Sequence, residues 1–312
     1  MLLFLSLATP LVPLSGMIDF ARGHPNYSLL PTEETRCLLE KLSQAGDASS
    51  NVLRNALQYG DEKGSLCFRE ELASFLERHT KDDDFGEMSA QLERCREDEA
   101  NCLFITNGVS HGIDLLCATQ SKPGDVVLIE RPSYFLVQGI LKSHCLIIRS
   151  LPMHAGTGGV DVDTLEEMVE NGVMDAPRMI YIIPTHQNPT GHTMPIEDRV
   201  KLAAFASRHG VLIVADEVYH LLDWRNVDSD GRRPARMASL SALIRASTED
   251  PPSGGCVSVS SFTKIFGPGI RCGWVQGAPD IIDSLVNYGY IKSQVCDMQC
   301  SLSFIGRHIL YL

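Results

Sequence analysis

The sequence lacks any excess of positive charge. Its 27 lysines and arginines stand against 39 aspartates and glutamates, for a formal net charge of −12. That balance argues against nucleic acid and anionic membrane as partners, although a pocket inside an acidic protein can still be locally positive. Paired cysteine spacing is also missing. The ten cysteines are scattered without one CxxC pair, no compact Cys/His cluster has zinc spacing, and Cys296 with Cys300 comes nearest to a pair. This argues against a metal site and fits reduced core cysteines in a cytoplasmic protein. There is no apolar stretch long enough to span a bilayer. Met1–Leu14, MLLFLSLATPLVPL, is apolar, but no Lys or Arg precedes it and Pro10 and Pro13 break it. It reads as an apolar arm packing on the domain or on a partner subunit, with a signal peptide as the other reading. No internal repeat is visible. The dinucleotide glycine fingerprint and the Gly-Lys-Ser/Thr ending of a phosphate-binding loop are both absent.

What is present is an ordinary globular composition, 44% hydrophobic and 21% charged over 312 residues, ample for a large buried core. Pro31–Gln44, with acidic residues at its start, and Lys63–Arg78, with Phe68, Leu72, Phe75 and Leu76 on one face, have helical spacing. The charged stretch Lys81–Asn101 reads as exposed loop and helix. Short runs rich in Val, Ile and Leu then follow one another: Leu103–Thr106, Val126–Glu130, Cys145–Arg149, Met179–Ile183, Val211–Ala215 and Val257–Ser260. Runs of this length fit strands buried on both faces. Helical patterns lie between them, at Gly112–Thr119, Ser133–Leu141, Val162–Asn171 and Ile196–His209. The alternation predicts an α/β domain with a mostly parallel sheet covered by helices, its ligand-binding residues on loops at the carboxyl ends of the strands. Asn226–Gly255, with DSDGRRP and STEDPPSGG around a short apolar helix, reads as a surface insertion. A last helical pattern starts at Pro279.

Several segments carry chemistry. Ser261-Phe-Thr-Lys264 is followed by Gly267-Pro-Gly-Ile-Arg271. A lysine just past a buried strand suits Schiff-base formation, because partial burial favours the neutral, nucleophilic amine. Ser261 and Arg271 beside it would suit a phosphate. The same segment also reads as a surface lysine and arginine near a glycine turn. Asp216 ends the apolar run VLIVAD, so its carboxylate needs a partner or an exit to water. It could hold a pyridine nitrogen in its protonated form, with Tyr219 in reach, or simply cap a helix. Asn188-Pro-Thr-Gly191 is a strong turn signal whose Asn could donate to an oxyanion. In Thr106-Asn-Gly-Val-Ser-His-Gly112, Gly108 permits close approach, and the N–H groups of Val109 and Ser110 could cradle phosphate at a helix start. Tyr134, in ERPSYF, could stack on a planar group or pack in the core.

The order of these motifs carries more than any one of them. ARGHPNYSLLP, LQYGDEKGSLCFREELASFL, TNGVSHGIDLL, PGDVVLIERPSYF, PTHQNPTG, ADEVYHLL and SFTKIFGPGIRCGW follow one another across Ile18–Gln294. The chain resembles the class I/II aminotransferase family of fold-type I pyridoxal-phosphate (PLP) enzymes. It is similar to the branch that includes kynurenine and 2-aminoadipate aminotransferases. The resemblance implies a three-layer α/β/α large domain and a homodimer. It implies an N-terminal arm and first helix over 1–50, a PLP-binding large domain over 51–294, and over 295–312 the start of a small C-terminal domain that is largely missing. It implies that Lys264 joins pyridoxal 5'-phosphate as a Schiff base and Asp216 pairs with the pyridine nitrogen. Tyr219 and Asn188 would bind the phenolic oxygen, and Tyr134 would stack on the ring. Val109, Ser110, Ser261 and Arg271 would hold the phosphate. Tyr59, in LQYG, would reach the phosphate of the neighbouring subunit, and Gly23 with Asn188 would line the substrate site.

The implied reaction is ping-pong transfer of an amino group from an α-amino acid to a 2-oxo acid. Other PLP reactions on the same scaffold, such as β-elimination or a cyclopropane-forming synthase, share these motifs. A PLP-binding protein with little catalysis is the third reading. It is favoured by one departure from the family pattern: the arginine expected to bind the substrate carboxylate has no match, since Arg307 stands alone after Arg271 in an unrelated context, FIGRHIL.

Overall fold

A computed structural model describes residues 24–44, 58–80, 100–156, 159–224, 233, 236–246 and 254–289. The expectations for residues 1–14, Gly23, residues 81–99, the 295–312 segment with Arg307, and the ends of the 226–255 stretch lie outside these residues. Seven strands form one sheet: β1 (Leu103–Thr106), β2 (Val126–Ile129), β3 (Ile147–Ser150), β4 (Met179–Ile182), β5 (Leu212–Asp216), β6 (Gly255–Ser261) and β7 (Gly273–Gln276). Their spatial order is β1-β7-β6-β5-β4-β2-β3. Only β7 runs antiparallel to its neighbours β1 and β6.

The helices are α1 (Thr32–Gln44), α2 (Leu66–His79), α3 (Val109–Gln120), α4 (Phe135–Ser143), α5 (Val162–Glu170), α6 (Ile196–His209), α7 (Met237–Ala246) and α8 (Pro279–Gly289). The twofold alternation of side chains along a strand separates two helical layers. Met179, Tyr181 and Ile183, with Leu212 and Val214, pack into one core with Leu115 and Leu116 of α3, Val137 and Leu141 of α4 and Ile282 of α8. Ile180, Ile182, Ile213 and Ala215 pack into the other with Leu165 of α5, Leu202 and Phe205 of α6 and Leu240 of α7. A third cluster joins Phe68, Leu72 and Leu76 of α2 to Phe262 and Trp274. The architecture is the expected three-layer α/β/α.

Three differences from the sequence-based reading have physical causes. Cys145–Arg149 was predicted as a strand buried on both faces, but β3 is the sheet edge. Among the described residues it pairs with β2 alone and no strand lies beyond it, so Ile147 is 46% exposed. An apolar run does not distinguish edge from centre. The β7 strand was not anticipated, since GWVQ is short and its burial comes from pairing on both sides. Finally, the apolar part of the 226–255 stretch is not a surface insertion. As α7 it covers β6 and packs on α6, with Met237, Ala238 and Leu240 buried.

Leu202→Ala, in a fully buried position of α6, is expected to cost about 2–5 kcal/mol, while Ile147→Ala on the edge strand should cost less than about 1 kcal/mol. Urea unfolding of the cofactor-free variants checks the contrast, and equal costs would contradict the edge assignment.

Candidate active site

The parallel strands all end on one side of the sheet, and a cleft of about 260 Å³ opens there. Val109, Ser110, Tyr134, Asn188, Asp216, Tyr219, Ser261, Lys264 and Arg271 all line it. These residues come from five separate loops, and the common strand direction brings them together. Tyr59 is not in the cleft and is 80% exposed.

The alternation that sends Leu212 and Val214 toward α3 and α4 sends Asp216 the same way. Asp216 caps no helix. It is buried, and its Oδ2 accepts a hydrogen bond of 2.8 Å from the Tyr181 hydroxyl of β4, while Oδ1 has no hydrogen-bond partner. Burial pushes its pKa up to about 6, against the pull of the Tyr181 hydroxyl, the Val218 N–H and the charge of Lys264. Tyr219 lies on the turn after Asp216. Burial raises its pKa and the negative charge of Asp216 adds to the rise, while a side-chain hydrogen bond from Asn188 opposes it. Tyr134 precedes α4, and burial lifts its hydroxyl as well.

Lys264 stands on the turn after β6. Phe262, whose ring lies 5.1 Å from that of Trp274, anchors this turn in the third core. The expectation of partial burial is corrected here, since the Lys264 side chain is exposed at the cleft mouth, its Nζ 5.8 Å from the centre of the Tyr219 ring. The turn carries it out of the sheet, where neighbouring strands no longer cover it.

The anion-binding corner depends on two glycines. Gly108, at φ +91°, starts α3, and a Cβ there would lie 2.7 Å from Arg271 Nη2. That nitrogen donates to Asn107 O at 2.7 Å, which holds the guanidinium against the helix start. A Cβ on Gly273 would lie 2.8 Å from the Cα of Gly108, so β7 and the β1–α3 loop touch through backbone. The first-turn N–H groups of α3, at Val109 and Ser110, have no acceptors within the helix. Together with Arg271 and the buried Ser261 they make a corner suited to a dianion.

Residues 16–290 match the family described as aminotransferase class I and II. The chain belongs to that family. It is 27% identical over 319 residues to an aromatic amino acid aminotransferase of Schizosaccharomyces pombe, covering 95% of this chain and 63% of that protein. It is 29% identical over 281 residues to a 2-aminoadipate transaminase of Thermus thermophilus, covering 87% of this chain and 57% of that protein. Among solved structures, an α-aminoadipate aminotransferase of Thermus thermophilus, complexed with N-(5'-phosphopyridoxyl)-L-leucine, superposes with a TM-score of 0.67 at 25% identity over 94% of this chain and 66% of that one. This member of the class I and II family therefore spans about three fifths of the length of the curated relatives it matches.

Sequence reasoning missed Tyr181, Glu130 and Gln187. Glu130 gave the same signal as Asp216, a carboxylate ending an apolar run, VVLIE. It is buried, and its Oε2 accepts the Ile183 N–H at 2.8 Å. Burial lifts its pKa to about 7, opposed by the Ile183 N–H and by the Gln187 side chain. Tyr181 gave no signal, because its reach to Asp216 depends on the pairing of β4 with β5.

A carboxyl with a folded pKa above its unfolded value binds its proton more tightly in the folded chain. Its contribution favours folding below about pH 4 and is lost as pH rises through the folded values of about 6 for Asp216 and about 7 for Glu130. Glu130→Gln keeps an acceptor for Ile183 and removes one such group. The variant should therefore gain about 2 kcal/mol relative to the parent between about pH 5 and about pH 8, measured by urea unfolding without cofactor. Parallel pH profiles would show that Glu130 does not titrate in this window.

Proposed function

We propose that this chain is a PLP-dependent aminotransferase that moves an amino group from an α-amino acid to a 2-oxo acid in a ping-pong cycle, with Lys264 as the residue joined to the cofactor. The observation that carries this reading is a buried carboxylate with an unpartnered oxygen, Asp216, in the same cleft as a primary amine, Lys264. The residues fit pyridoxal 5'-phosphate at each end. Asp216 would hold a proton on a ring nitrogen, and Asn188 and Tyr219 would donate to the phenolic oxygen. Tyr134 would stack on the ring. The N–H groups of Val109 and Ser110, with Ser261 and Arg271, would bind the phosphate.

When bound, the cofactor supplies an electron sink for negative charge developing at the substrate Cα. Lys264 Nζ would take the substrate Cα proton and give it up to the cofactor carbon that receives it. Asp216, by holding the ring nitrogen cationic, stabilises that charge at a distance. The burial that raises its own pKa is offset once a cation lies against Oδ1. With an arm over 1–50 and a large domain over 51–294, Gly23 of the arm and Asn188 of the domain would line the substrate side, and Tyr59 would reach the phosphate of a partner subunit in a homodimer. The exposure of Tyr59, 80%, supports a role outside its own cleft. Among the described residues, no helix is long and apolar enough to cross a membrane. The scattered, unpaired spacing of the ten cysteines supports a cytoplasmic location.

The test is the visible spectrum of the cofactor-loaded protein, before and after borohydride and before and after an amino acid mixture. A visible band that borohydride bleaches while leaving the cofactor covalently attached to the parent chain, that Lys264→Ala loses, and that amino acids convert in the unreduced protein supports the reading. A band that borohydride reduces but that does not respond to amino acids beforehand would leave cofactor binding and remove transamination. In the same assay Asp216→Asn is expected to slow the amino acid half-reaction by at least about 100-fold, since the charge on the ring nitrogen is no longer held. A near-parental rate would reject that role.

A further inference from the structure

Two of the cleft walls, the loop carrying Tyr134 and the loop carrying Asn188, come from the ends of β2 and β4 and share no strand beyond those ends. The Gln187 side chain joins them. Gln187 is 3% exposed, and every polar group it has is used. Its backbone N donates to His192 O at 2.8 Å and its carbonyl accepts from Gly191 N at 2.6 Å, which closes the turn around Asn188. Its Oε1 accepts both the Thr190 N–H at 2.8 Å and the Thr190 hydroxyl at 2.7 Å. Its Nε2 donates across the cleft wall to Pro132 O at 2.7 Å, two residues before Tyr134. The same side chain lowers the pKa of Glu130, whose carboxyl group takes the Ile183 N–H at 2.8 Å.

We propose that Gln187 is a positioning residue, a buried amide brace that fixes the Asn188 turn against the Tyr134 loop and so sets Asn188 and Tyr219 for their shared hydrogen-bonding role. The chemistry of the position requires an amide. Its oxygen faces two donors, and its nitrogen faces a carbonyl. A carboxylate would lose the bond to Pro132 O and add negative charge near Glu130, and an apolar side chain would remove the bonds to Pro132 O, the Thr190 N–H and the Thr190 hydroxyl together. Asn188 and Tyr219 line the same cleft, and Asn188 lowers the pKa of the Tyr219 hydroxyl, so a shift of its turn reaches both donors together.

This inference rests on the proposed PLP site, in which those two donors stabilise the negative phenolic oxygen of the cofactor. With the brace removed they stabilise it less, and the ionisable cofactor–lysine linkage keeps its proton to higher pH. The experiment uses the full chain loaded with pyridoxal 5'-phosphate, comparing the parent with Gln187→Met and with the shorter amide in Gln187→Asn. The pH midpoint of the visible band, the Kd for the cofactor by fluorescence titration, and thermal unfolding of the cofactor-free protein are measured for each. The expected result is a midpoint raised by about one pH unit in Gln187→Met and by less in Gln187→Asn, with Kd raised about tenfold. A lowered unfolding temperature with an unmoved midpoint in whichever variants fold would overturn the proposal and leave Gln187 a purely structural residue. A parent that shows no band at all would overturn the PLP reading itself, and the brace with it, whereas a normal parent band with unchanged variants would overturn the brace alone.

Discussion

A carboxylate held at the end of a strand that is buried on both faces is the constraint on which the rest of this site depends. β5 lies between β4 and β6, covered by helices on each side, so Asp216 leaves the sheet into protein rather than water. One oxygen is satisfied by Tyr181 and the other faces a cleft that holds Lys264. The cost of burying this acid is met only in part by the protein's own groups, and a cation in the cleft would meet the rest.

The next residue shows how the sheet separates functions by alternation. Glu217 turns to the opposite face, where its carboxyl group accepts the Met237 N–H and lies within the field of Arg199 and Arg236. Arg199, buried in α6, donates to Met194 O, Pro184 O and Thr185 Oγ1 at 3.0–3.1 Å. These contacts secure the base of the segment that carries Gln187 and Asn188. The loops that line the cleft are thus held from below by a charged network and from the side by an amide brace. Rigid support behind a site is what keeps its polar groups in reacting geometry.

Much of the cleft was legible from residue type and order. Asp216 was marked by its place after an apolar run, Asn188 by its turn dipeptide, Gly108 by its place between strand and helix, and Lys264 by its Ser and Arg neighbours. Glu130 carried the same mark as Asp216 and was overlooked because no known motif drew attention to it. Tyr181 and Gln187 carried no mark, since a tyrosine inside a strand and a glutamine beside a turn acquire meaning only from what lies opposite. The predicted burial of Lys264 failed for a related reason, because proximity to a buried strand says nothing about where the following turn points.

The sequence by itself determined the alternation of strands and helices, the parallel character of the sheet and the identity of most cleft residues, because hydrophobic periodicity and turn chemistry are local and survive in a one-dimensional record. Tertiary structure alone decided which strand became the exposed edge, that α7 belongs to the core, that Lys264 stands at the cleft mouth, and that Tyr181, Glu130 and Gln187 tie the loops together. Those outcomes depend on strand order and on contacts between residues far apart in the chain. A buried polar group finds its partner through space, and the spacing of residues along the sequence does not encode that distance.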